Sequence, residues 1–120
     1  MNSRTNVVSV HPYFKVHAGK LAEFKAILPA MIAKVSAEPG TLAYEIAAHG
    51  DEYLFREAYV GAAGWQTHMV NTDDLVARLL QIATVTRLEV HGPAEELDKL
   101  RAQTAAMNPV WYIRETGVWK

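Results

Sequence analysis

The sequence predicts an α+β domain: an antiparallel sheet with helices on one face. Three observations predict it. Stretches of β-branched and aromatic residues alternate with segments of helical periodicity in the order βαββαβ, then αβ. Turn dipeptides, Pro39-Gly40, Gly50-Asp51 and Gly92-Pro93, punctuate the boundaries. Half of the 120 residues are hydrophobic and 21% are charged, which supplies an ordinary globular core. The first six elements reproduce the ferredoxin-like order.

Residues 7–16 are rich in β-branched and aromatic side chains and read as the first strand. A turn at His17-Ala18-Gly19-Lys20 follows. Leu21, Phe24, Ile27, Leu28, Met31, Ile32 and Val35 then recur at spacings of three and four, giving one apolar face of a helix over about residues 19–37. Pro29 removes one backbone donor inside it and predicts a kink. Pro39-Gly40 ends it. Residues 41–48 and 53–59 form a hairpin across Gly50-Asp51. A second helix opens at 61–69, and Asn71-Thr72-Asp73-Asp74 caps a restart that carries Leu75, Leu79, Leu80 and Ile82. Residues 84–90 are a fourth strand, 95–107 a third helix, and 110–118 a fifth strand after Asn108-Pro109. The chain is expected to be one domain over 1–120, with a ferredoxin-like core at 6–91 and a helix–strand extension at 92–120.

Composition narrows the chemistry. The net charge is −1 and no basic stripe is visible, so nucleic acid and anionic membranes are not expected partners. No apolar run approaches the ~18 residues of a membrane span, and Met1 to Asn6 lead into a strand rather than the apolar core of a signal peptide; a cytoplasmic protein is expected. Without cysteine there is no disulfide, thiolate metal site or cysteine nucleophile. The five histidines make neither His-x-His nor His-Glu-x-x-His, so no metal site is expected. No phosphate loop and no Gly-x-Ser-x-Gly elbow is present.

The strands do not alternate cleanly between apolar and polar. Tyr53, Phe55 and Tyr59 share one face of the third strand, while Leu54 and Ala58 lie on the other. Both faces therefore call for cover. Helices supply one; a second copy of the sheet is the simplest cover for the other, which predicts a homodimer. Trp111, Tyr112, Ile113 and Trp119 add apolar surface that a partner could bury.

Few side chains are suited to chemistry. Trp65, His68 and Thr72 share a helix face. Two readings fit His68: a partly desolvated base for an acidic phenol or hydroquinone, or a helix histidine satisfied by a hydrogen bond. Tyr44 shares a strand face with Leu42 and Ile46 and holds either a substrate oxygen or a backbone partner. Glu57 sits among Phe55 and Tyr59, which calls for a raised pKa or an ion pair, with Arg87 or a partner subunit as candidates. His11 and Tyr13 share a face of the first strand and line either a cavity or the dimer interface.

Two runs carry a family resemblance. The first half shows Ala18-Gly19-Lys20, a long helix, Glu38-Pro39-Gly40 and Tyr44-Glu45; the second shows Glu57, Tyr59, Trp65 and His68. In that order they resemble the antibiotic biosynthesis monooxygenase (ABM) family over about residues 6–91. The resemblance implies a dimeric α+β barrel with a substrate cavity between sheet and helices in each subunit. It implies oxidation of anthrones or quinols by O2 without flavin, haem or metal. The slot at His68 is similar to the histidine of quinol monooxygenases, where polyketide oxidisers carry asparagine and haem degraders tryptophan. Haem degraders also carry a histidine about ten residues later, where this chain has Arg78, so haem degradation is disfavoured. The segment after Gly92 resembles the extension of a longer ABM subgroup and could lid the cavity or extend the dimer.

The expectation is therefore a cofactor-independent monooxygenase acting on a small aromatic hydroquinone or polyketide-like phenol with O2. His68 is its base, Trp65 its aromatic wall and Tyr44 its oxygen anchor, with His11 and Glu57 as further substrate contacts. The alternatives are a non-catalytic small-ligand or stress-response dimer and an isomerase on the same scaffold.

Overall fold

The structure, a computed structural model, describes residues 3–120; the part of the N-terminal reading that falls on Met1 and Asn2 lies outside the described residues. Strand β1 (Val7–Val16) occupies the middle of a five-stranded sheet. It pairs antiparallel with β3 (Glu52–Val60) on one side and β4 (Ala83–Gly92) on the other. β2 (Thr41–His49) lies antiparallel to β3 at one edge. β5 (Val110–Ile113) lies parallel to β4 at the other, giving the order β2-β3-β1-β4-β5. The mixed sheet with helices on one face is the ferredoxin-like arrangement plus one strand.

Helix α1 (Leu21–Ser36) runs as one element with Pro29 inside it and buries Phe24, Ile27, Met31 and Val35. The 3.6-residue period predicts that face directly. α2 (Gly61–Asn71) and α3 (Asp73–Ile82) meet at Thr72. Thr72 does not cap α3 through its side chain; its hydroxyl donates instead to the His68 carbonyl at 2.9 Å. The third helix expected over 95–107 is broken into α4 (Ala94–Asp98), α5 (Arg101–Thr104) and a 3₁₀ turn at Ala105–Met107. A bond from the Leu100 N–H to the Leu97 carbonyl tightens the chain between them and puts both leucines in one apolar cluster.

The fifth strand is also shorter than expected. The Arg114 N–H donates to the Gly92 carbonyl and its guanidinium to the carbonyls of Thr5 and Val7. The chain leaves the ladder there, and residues 114–120 have no regular structure.

Between helices and sheet the core divides in two. Phe14, Phe24, Met31, Phe55 and Leu79 belong to one cluster, and Val8, Val10, Trp65, Val90 and Leu97 to the other. The opposite face of the sheet, carrying Ser9, His11, Tyr13, Leu54 and Ala58, is only half buried, and Lys15 and Arg56 on it are exposed. Among the described residues no helix covers it, so the expectation that both faces are covered holds for one face of the single chain. Among the described residues no helix is long and apolar enough to cross a membrane.

Candidate active site

A close backbone approach builds the site. α1 closes on Ala37, and Glu38 follows with its N–H bonded to the Val35 carbonyl. Pro39-Gly40 then turns the chain into β2. Gly64 of α2 sits on this turn: a Cβ there would lie 2.7 Å from the Gly40 carbonyl oxygen and 3.0 Å from the Tyr59 Cβ. Glycine at both 40 and 64 therefore lets α2 descend onto the turn. One helical turn beyond Gly64, His68 comes to lie beside Glu38.

His68 is buried and points between the two apolar clusters, with ring contacts to Tyr44 at 5.3 Å and Tyr59 at 5.2 Å between centroids. Its Nδ1 lies 3.0 and 3.1 Å from the two oxygens of Glu38. Glu38 accepts two further bonds, from Thr41 Oγ1 at 2.6 Å and Asn71 Nδ2 at 2.7 Å. Across the ring, His68 Nε2 lies 3.8 Å from Glu57 Oε1 and 3.5 Å from Thr72 Oγ1. Glu57 Oε1 accepts the Tyr59 hydroxyl at 2.5 Å. Register sets these neighbours: Tyr44 and Val10 flank Glu57 on adjacent strands.

The two carboxyl groups differ in charge. Burial opposes ionisation of Glu38, but hydrogen bonds from Asn71, Thr41 and His68 outweigh it and hold its pKa below the ordinary carboxylate value. Glu57 is fully buried; burial, with the negative charge of Glu38 adding to it, pushes its pKa to about 8 against the pull of the Tyr59 bond. At neutral pH Glu57 is mostly protonated and Glu38 is ionised. Burial lowers the His68 pKa, partly offset by Glu38, so the imidazole is neutral. An ionised carboxylate only accepts, so Nδ1 carries the ring proton and Nε2 holds a free lone pair. The Tyr44 and Tyr59 hydroxyls stay protonated, held up by burial and then by the nearby carboxyls.

The site residues expected from sequence fall into three groups. His68, Tyr44 and Glu57 come together. The bulge between Thr41 and Ala43 takes Leu42 off the Tyr44 face: Leu42 is exposed, whereas Tyr44 and Ile46 are partly buried. Glu57 does not pair with Arg87, which lies on the other face of the sheet against Glu89 and Tyr112. Trp65 is buried in the second apolar cluster with Val8, Val90 and Leu97. His11 lies on the open face, 4.7 Å from His91 between ring centroids, with the sheet between it and His68. Tyr13 is beside it there, its hydroxyl donating to Glu89 at 3.3 Å.

Glu38, Asn71 and Thr41 were not among the expected site residues, because Glu38-Pro39-Gly40 reads as a helix stop. One signal was present. An acidic residue just past a helix C-terminus opposes the helix dipole, where lysine or arginine is favoured. A local rule broken in this way marks a functional or strained position.

Outside the buried group, a groove of about 810 Å³ runs between the end of α1 and α2, lined by Lys34, Glu38, Pro39, Thr67 and Asn71 among others. It meets the Glu38 side of the network, and His68 does not line it. No cluster of three or more metal-ligating side chains occurs among the described residues.

A sheet of this order with a buried histidine–carboxyl centre beneath its helices defines a small ferredoxin-like α+β protein. The family model for antibiotic biosynthesis monooxygenase matches residues 7–77, more than half of the chain, and the chain belongs to that family. Comparison with curated protein sequences finds no match. Among solved structures, MupZ from Pseudomonas fluorescens is 37% identical, with 96% of this chain and 95% of that one covered and a TM-score of 0.92. Rv0793 from Mycobacterium tuberculosis is 23% identical over 72% of this chain and 94% of its own, with a TM-score of 0.64. SnoaB from Streptomyces nogalater, a cofactor-independent oxygenase, is 14% identical over 71% and 90%, with a TM-score of 0.62. The last two likenesses are likenesses of fold. The MupZ match extends over almost the whole chain, the segment after Gly92 included.

Proposed function

We propose that this protein is a cofactor-independent monooxygenase that oxidises a small aromatic hydroquinone or polyketide-like phenol with O2. The observation that carries the reading is the placement of His68, whose Nδ1 faces Glu38 at 3.0 Å while Nε2 faces a buried centre flanked by Tyr44, Tyr59 and Glu57. Nε2 takes the phenolic proton. The phenolate passes one electron to O2, the substrate radical and superoxide combine at a ring carbon that bears hydrogen, and the peroxide takes the proton back from His68. Loss of water from the resulting hydroperoxide leaves the quinone carbonyl, so one oxygen atom enters product and one leaves as water. The protein's contribution is to bind, deprotonate and exclude bulk water. Trp65 forms apolar support behind the site and Tyr44 offers its hydroxyl to a substrate oxygen. No contact brings His11 to this centre, and it belongs with the open sheet face.

Support for a homodimer comes from that open face, where Leu54 and Ala58 are half buried and Val110 and Tyr112 are exposed at its β5 edge. A second sheet laid on it closes the dimeric barrel.

The test is oxygen uptake by metal-free protein with a panel of hydroquinones and anthrones. Uptake is expected with at least one, and His68→Ala should abolish it. No uptake across the panel, or equal uptake by the variant, overturns the reading. A second reading is favoured by one observation: neutral Glu57 lies 3.8 Å from the base. An acid and a base with pKa values pushed apart in one site also suit an isomerisation without oxygen. Exchange of substrate hydrogen for solvent deuterium with no oxygen consumed would favour it.

A further inference from the structure

We propose that Glu38 is the positioning residue of this site. It holds His68 in the Nδ1–H tautomer, keeps Nε2 available as the base, and balances the positive charge that the ring acquires when it takes the substrate's proton. The proposal deepens the reading of His68 as a base and rests on it for its catalytic consequence.

The argument begins with a charge that has no fixed counterpart. Glu38 is buried and ionised, which is costly unless its oxygens are fully paired. Two of its three donors, the Thr41 hydroxyl and the Asn71 amide, are neutral and stay neutral. The nearest lysine on α1, Lys34, is turned outward to Asp74 and the Asn71 carbonyl. Among the described residues the sole ion-pair partner of Glu38 is His68, which is neutral at rest. The site therefore keeps a standing negative charge that only a protonated His68 can neutralise. Donors and charges set in advance against the charge that forms during reaction stabilise the transition state more than the ground state.

Geometry points the same way. Nδ1 faces both Glu38 oxygens, which fixes the ring plane as well as the tautomer. Thr72 is the nearest possible donor to Nε2, but its hydroxyl proton is committed to the His68 carbonyl. Tyr59 donates to Glu57. Among the described residues, the hydroxyls near Nε2 are thus bonded elsewhere, and Glu57 stands 3.8 Å away, beyond hydrogen-bond distance. This is the base-and-orienter logic of nucleophile triads, used on a substrate proton.

A structural role for Glu38, joining the end of α1 to α2, would keep the same bonds without the same chemistry. Nitrogen NMR of ¹⁵N-histidine-labelled protein separates the two. In the natural protein His68 should be in the Nδ1–H form, against the usual preference of free imidazole for Nε2–H. Glu38→Gln retains an acceptor for Nδ1–H and should keep the tautomer while lowering the His68 pKa further, because the charge is gone. Glu38→Ala should release the tautomer. With any substrate that turns over, Glu38→Gln should lower kcat by about 100-fold with KM within about twofold, and Glu38→Asp should restore part of the loss. Thr41→Val, which removes a neutral donor from the same carboxylate, controls for general loosening and should leave the tautomer unchanged. An Nε2–H tautomer in the natural protein, an unchanged His68 pKa in Glu38→Gln, or undiminished kcat in that variant overturns the proposal. The NMR outcomes need no substrate, so they stand or fall separately from the oxygen-uptake test.

Discussion

At the scale of the residue, the two buried carboxyl groups carry opposite pH signatures. Glu57 has its folded pKa raised to about 8, so below the ordinary carboxylate value of ~4.5 it is neutral in both states and its full contribution is present. As pH climbs toward 8 the unfolded chain releases that proton first, and stability is lost at up to about 1.4 kcal/mol per pH unit. His68 runs the other way: its folded pKa is lowered, so its contribution is present above ~6.5 and lost as pH falls through the folded value. Glu38, also lowered, contributes above ~4.5 and loses that contribution in acid. Glu57→Gln should therefore flatten the decline in unfolding free energy between about pH 5 and 8, measured by urea denaturation at several pH values. Parallel curves for the two proteins would mean that Glu57 is ionised in the fold.

At the scale of the element, α2 is held at both ends by groups remote in sequence. Its N-terminus starts at Gly61, with φ of +66°, and its Ala62 N–H is capped at 2.9 Å by Glu96 of α4. The segment after Gly92 therefore helps to hold the helix that carries His68. Its leucines, Leu97 and Leu100, share a cluster with Trp65. Glu96→Ala should cost about 1 kcal/mol by loss of the cap and its charge, read as a shift in urea midpoint. The Gly64 contact is stricter. Gly64→Ala drives a Cβ to 2.7 Å from a backbone carbonyl oxygen, which side-chain rotation cannot relieve. It should destabilise by roughly 1–3 kcal/mol and shift the His68 NMR signals. Gly117→Ala, with nothing within 4 Å of the new Cβ, should change neither. In the core, Phe24→Ala should cost about 3–5 kcal/mol, because Phe24 is fully buried against Phe14 and Tyr53.

At the scale of the whole molecule, the proposed dimer has a pH dependence of its own. His11 and His91 stack at 4.7 Å on the open face, and Tyr112 lies against His91. Burial and then the nearness of His91 lower the His11 pKa, with Glu89 acting against them and Arg56 with them. Glu89 is shared among His91, Arg87 and Tyr13, and Arg87 also donates to Tyr112. One carboxylate thus faces two histidines and an arginine. Protonating His11 places a positive charge beside Arg56 on this face, and facing sheets would double the number. The protein should be dimeric by light scattering at pH 7.5 and dissociate more readily near pH 5, and Ala58→Arg should favour the monomer at both values. A monomer at pH 7.5 across micromolar concentrations would count against the sheet-face dimer.

Periodicity alone located α1, the β2–β3 hairpin and β4, because a 3.6 or 2.0 repeat follows from backbone geometry whatever the chain later packs against. It also placed His68, Trp65 and Thr72 on one face of α2 by spacing. It could not set the register between distant segments, and register is what joins Tyr44 to Glu57 and separates both from His11. Nor could it show that Glu38, 30 residues before His68, would be its nearest partner. That contact depends on the close approach of Gly40 and Gly64, a tertiary event. Local repeats thus fix the elements and the face on which the histidine stands. The histidine's burial, direction and partners come from the tertiary fold, because they depend on contacts between distant segments that no local repeat encodes.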